Sequence, residues 1–258
     1  MSNNPFNNPN LIPGVFNYCD RWCERCPLTS RCLTFITLND CLNKNESKDN
    51  QNRKFWEKLN ELYDTTYNMM DKFIPDDEED LFPEPDDEEK AEIMKQQEDI
   101  DNKVEENECN ILSQKYSNQV MNWFEKNEKL LNEKENALKN ERTDLPSKNP
   151  YLEAFDLKDA ADIILYYGFF ISAKVNRALH GLFDECEEEF DDMPKDSDGS
   201  AKIGLIAIDR SIAAWGEIYY RFPEQEVIEF VLLLDKLKRL LELSFPNAKN
   251  FIRPGFDE

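Results

Sequence analysis

Four cysteines fall within fourteen residues, at positions 19, 23, 26 and 32, in the spacing C-x3-C-x2-C-x5-C. Thiolates are soft donors. Four of them complete the tetrahedral shell of one zinc ion, or supply one ligand to each iron of a 4Fe–4S cube. Phe16, Tyr18, Trp22 and Phe35 lie around the run and could shield a centre from water. Arg21, Arg25 and Arg31 could offset the charge of the thiolates. Cys41 is a substitute ligand, most readily for Cys32. Cys109 and Cys186 stand apart and read as ordinary cysteines.

The first three cysteines match the spacing of the radical SAM cluster motif, a resemblance confined to Cys19–Cys26. That family leaves one iron open for its cosubstrate and builds a βα barrel. Here Cys32 closes the set, the chain has only seven glycines, and no βα alternation is visible, so the radical SAM reading is rejected. Cys26-Pro27 resembles the Cys-Pro that ends ferredoxin cluster runs. Zinc knuckles often carry a glycine that turns backbone amides toward sulfur, and this run has none. Together these features favour a 4Fe–4S cluster over Zn2+ as the expected cofactor. A closed four-thiolate centre serves structure or electron transfer, because it leaves no position for substrate.

A second set of residues suggests a candidate polar site. Asp162, Tyr166, Arg177 and His180 fall near one stripe of an apolar helix. Asp209, Arg210 and Glu217 interrupt another. Charges on such helices are paired if buried, for example Asp209 with Arg177, or else line a polar pocket. His180 is the only histidine. A ferritin-like di-iron centre needs two Glu-x-x-His pairs, and position 177 is Arg. Asp196-Ser-Asp-Gly199 lacks the closing Glu of an EF-hand and reads as a turn, with Ser200 capping the next helix.

The elements that must position these groups read as helices. Residues 1–45 form an irregular cysteine-rich metal-binding segment in which a short helix starts near Ser30. Residues 51–75 form an amphipathic helix carrying Phe55, Trp56, Leu59, Tyr63, Tyr67, Met70 and Phe73 at spacings of three and four. An acidic linker covers 76–87. Between Asp76 and Glu108, seventeen acidic residues stand against three Lys. Residues 88–258 form a helical bundle, joined with 51–75 in one domain. Its predicted helices run over 88–140, 155–183, 201–222 and 224–245, with an extended tail after 246. The fold class is all-α, a bundle of about four to six helices.

Fifty-four acidic residues against thirty-one basic ones leave a net charge of −23. Such a surface repels nucleic acid and suits a protein partner with a basic surface. No apolar stretch approaches the roughly 18 residues of a membrane helix. The N-terminus lacks the basic and apolar regions of a signal peptide, and the odd cysteine count argues against a disulfide framework, so the expected location is cytoplasmic. Three functions follow: a metal-binding helical protein, an enzyme with a polar site within 155–222, or a metal-free acidic interaction or assembly protein.

Overall fold

The computed structural model describes residues 9–42, 60, 85–140, 149–184 and 195–257. All regular structure among them is helical: α1 (Leu33–Leu42), α2 (Asp87–Glu106), α3 (Glu108–Asn140), α4 (Pro150–Phe183), α5 (Asp196–Arg221) and α6 (Ile228–Ser244). This is the expected all-α architecture. The expected helix over 51–75 and most of the acidic linker lie outside the described residues, as does most of the 184–198 loop. The chain divides into two compact units, Met1–Gln96 with Arg253–Glu258, and Gln97–Ile252.

Helix boundaries depart from the sequence reading for local reasons. The predicted helix over 88–140 is two helices. Asn107 separates them: its Oδ1 accepts the Cys109 amide at 2.9 Å and caps α3. Asp86 caps α2, accepting the amides of Glu88 and Glu89, while Glu89 reaches back to the Asp86 amide in a reciprocal capping box. Helix α4 begins at Pro150, before the predicted Phe155. Proline suits a first turn, where its missing N–H is not needed. Ser200 does not cap α5. That helix starts at Asp196, placing Asp196 and Asp198 at its positive end, and Ser200 is buried within it. The tail after Pro246 is not simply extended: Ala248–Asn250 forms a 3-10 turn, and Ala248 and Phe251 are buried.

The second unit is built on α4. It packs against α3 on one side and α5 on the other, and α6 closes on α3 and α5. Its core centres on Trp215, which is fully buried. The indole stacks on Phe230 at 4.2 Å between ring centroids and meets Trp123 edge-on at 5.1 Å. Its Nε1–H donates to Tyr116 Oη at 3.0 Å. Helices α3, α5 and α6 therefore meet through one side chain. Elsewhere the α3–α4 spacing is set by Gly168, where an added Cβ would stand 3.2 Å from Val120 Cγ1.

Burial pushes the Tyr116 phenol up from 10.0 to about 12, and the indole hydrogen bond only partly opposes this. Unfolded Tyr116 loses its proton near 10 and folded Tyr116 near 12. Stability is therefore expected to be intact below about pH 10 and to fall as pH rises toward about 12. Tyr116→Phe should remove that share of the pH dependence. It should also cost about 1–3 kcal/mol at neutral pH, because the buried indole N–H loses its acceptor. Urea unfolding of both proteins at neutral and alkaline pH checks both points.

Candidate metal centre

The first unit places Cys19, Cys23, Cys26 and Cys32 around one small cavity of about 20 Å³. The supporting backbone is two single 3-10 turns, Cys23–Arg25 and Thr29–Arg31, with α1 directly after Cys32. Each cysteine thus sits at or beside a tight turn, which lets a short stretch curl around a point.

The local geometry supplies what glycine usually supplies. Arg21 adopts a positive φ of 57°, a region non-glycine residues rarely enter. The Asp20 carboxylate accepts the Trp22 amide at 3.1 Å and holds this turn, while the Arg21 amide faces Cys19 and favours its thiolate. The Leu28 amide donates to Cys26 Sγ at 3.4 Å. Pro27 has no N–H of its own, so the next amide takes the role. In both places an amide two residues past a cysteine turns back on its sulfur. Such donors stabilise thiolates and orient metal ligands.

The cavity wall is largely apolar and comes from both ends of the chain. Val15, Trp22 and Phe35 are joined by Phe256. Gly255 makes Phe256's arrival feasible: its φ is +74°, and an added Cβ would stand 2.6 Å from Ile12 Cδ1. Arg253 pairs with Asp257 at 2.7 Å and lies over the Phe256 ring. Of the expected arginines, Arg25 stacks on Trp22 at 3.8 Å, and Arg31 donates to the Asn10 carbonyl at 3.1 Å.

The thiols have not closed on a common centre. Among the described residues, no three His, Cys, Asp or Glu side chains are arranged to hold a metal ion as they stand. Cys19 Sγ instead donates to the Phe16 carbonyl at 3.6 Å. Burial pushes the Cys19 thiol up. Burial and the three neighbouring cysteines do the same to Cys23. The donor set nevertheless fits a soft cation: four thiols share one water-poor cavity, and backbone amides face two of the sulfurs. Cys41 lies on α1, with its side chain outside the described residues. Cys109 is buried in α3, and Cys186 is outside the described residues.

The candidate polar residues of the second unit do not form a buried site. Arg177 pairs with Asp196 at 2.9 Å, and Asp209 pairs with Lys238 at 2.6 Å, so the expected Asp209–Arg177 contact is absent. His180 Nε2 lies 3.0 Å from Asp101. Hydrogen bonds from Gln97 and then from His180 hold the Asp101 carboxyl below its usual range. Glu217 pairs with Arg221 at 2.6 Å. Arg210 donates to the Tyr167 hydroxyl, and Tyr166 packs edge-on against the Tyr167 ring at 5.4 Å. Asp162 lines a groove between α3 and α4. Only Tyr166 and Arg210 are drawn together, through Tyr167. The reason is helical phase: Ile164, Tyr167, Ile171, Val175 and Ala178 take the packed faces of α4, leaving Asp162, Arg177 and His180 off them.

No family model matches the chain, and neither a curated protein nor a solved structure is significantly similar to it. No described helix is long and apolar enough to cross a membrane.

The strained turn at Arg21 makes a direct prediction. Arg21→Gly should hold or raise the resistance of residues 12–32 to limited proteolysis. Arg21→Val should lower it, at a cost of about 1–3 kcal/mol, because a β-branched residue tolerates positive φ poorly.

Proposed function

We propose that this protein is a metal-binding helical protein whose N-terminal segment closes around one metal through Cys19, Cys23, Cys26 and Cys32. The observation that carries the reading is the convergence of all four thiols on one cavity, with backbone amides turned toward Cys19 and Cys26. The metal's role is structural. The segment has two single 3-10 turns and little other regular structure before α1, so four metal–sulfur bonds would supply cohesion that backbone hydrogen bonds do not.

A cavity of about 20 Å³ is the size of one ion or one water, which suits Zn2+ as the single occupant. A 4Fe–4S cluster, the reading favoured by the sequence, needs the walls to move apart. Its specific support is the apolar lining by Val15, Trp22, Phe35 and Phe256, which would limit water access. The enzyme reading draws no support from the second unit, where Arg177, Asp209 and Glu217 each pair with a different residue and Asp162 borders a separate groove.

The experiment is anaerobic purification followed by elemental analysis and visible absorption spectra. One equivalent of zinc in a colourless protein is the expected result, and iron with inorganic sulfide and a brown colour would move the assignment to the cluster. Cys26→Ser should lose most of the metal and expose residues 12–32 to protease, while the unfolding of 97–252 stays unchanged. Metal-free protein whose protease pattern is the same with and without chelator would sink the proposal.

A further inference from the structure

The second unit carries an open groove of about 580 Å³ between α3 and α4. Its floor is apolar: Phe124 and Leu157 are buried, with Leu131 and Leu165 beside them. The wall residue Met121 is 44% exposed and Leu165 is 39% exposed, so the apolar surface is reachable from solvent. The rim is acidic. Glu125, Glu128 and Asp162 line it, and among the described residues they make no hydrogen bond or ion pair. Glu135 lies at one end but is already paired with Lys139, and Lys158 is the one cation in the lining.

From these features the geometry points to a docking surface for a basic amphipathic helix of a partner protein. Length argues for a helix. The lining follows α3 from Met121 to Glu135, about 21 Å at 1.5 Å per residue, which matches the apolar stripe of a helix of three to four turns. Charge selects a basic one. An apolar face seats on Phe124, Leu131, Leu157 and Leu165, while flanking Lys or Arg residues meet Glu125, Glu128 and Asp162 at the rim. The same charges oppose a second copy of this chain, since pairing through this face would oppose like carboxylates on a molecule of net charge −23. The site is independent of the cysteine segment and of any metal there.

The test uses the full-length chain and two labelled synthetic peptides of equal length and charge. One is a Leu/Lys amphipathic helix. The other is its scramble, which has no continuous apolar face. Fluorescence anisotropy should show the amphipathic peptide binding at least about tenfold tighter than the scramble, the margin of one good anchor contact. Leu165→Lys should remove that margin. Glu128→Lys, at an exposed position that leaves the fold intact, should weaken binding and flatten its salt dependence. Equal binding of both peptides, equal binding to wild type and both variants, or no binding at all would overturn the proposal. So would light scattering that shows a dimer abolished by Leu165→Lys, since the face would then belong to a second copy.

Discussion

The bundle of the second unit depends on how the Trp215 indole is satisfied. A tryptophan removed from water contributes a large apolar area, but its N–H must find an acceptor. Tyr116 supplies one at 3.0 Å, Phe230 covers one face at 4.2 Å, and Trp123 meets the ring edge-on. These partners come from α3 and α6, while Trp215 itself lies on α5. The register of three helices is therefore tied to one ring, because sliding any of them by a turn would separate the N–H from its acceptor. Helix α4, which packs between α3 and α5, inherits its position from that arrangement.

The first unit is held by a different kind of constraint. It has little helix before α1, and its order rests on tight turns and on a tail segment that returns to the cysteines. Gly14 and Gly255 both take positive φ, and Gly255 brings its backbone against Ile12. A small apolar wall then forms around sulfur from residues far apart in sequence. Among its described residues before α1, most backbone hydrogen bonds close single turns, the condition under which a bound cation can decide whether a segment is folded.

Helix type and number were legible because apolar periodicity is strong in α3–α6. Boundaries were less so. Asn107 is an inconspicuous residue in a stretch rich in helix formers, yet its side-chain cap divides the predicted helix. Pro150 looked like an interruption and proved to be a first-turn residue. The four cysteines were legible from spacing alone. Their surroundings were only partly so: the absence of glycine suggested that amides would not turn toward sulfur, whereas Arg21 takes the left-handed conformation itself and Pro27 hands the role to the Leu28 amide. Phe256 carried no local signal, since only the folded tail brings it to the cavity. For the polar residues of α4 and α5 the sequence left a paired network and a pocket lining open, because apolar composition does not say which face is packed. Asp162, read as a member of a paired network or of a polar pocket, borders the groove between α3 and α4.

Gly168 has a mechanical meaning beyond packing. The backbone of α4 comes against Val120 there, and the 580 Å³ groove begins at Leu165, about one turn away on α4, and at Met121, next to Val120 on α3. The two helices behave like the arms of a clothes-peg whose spring lies outside its jaws. The width of the opening is set at a position outside the groove lining, so a side chain gained at residue 168 would change the gap while every lining residue stays the same.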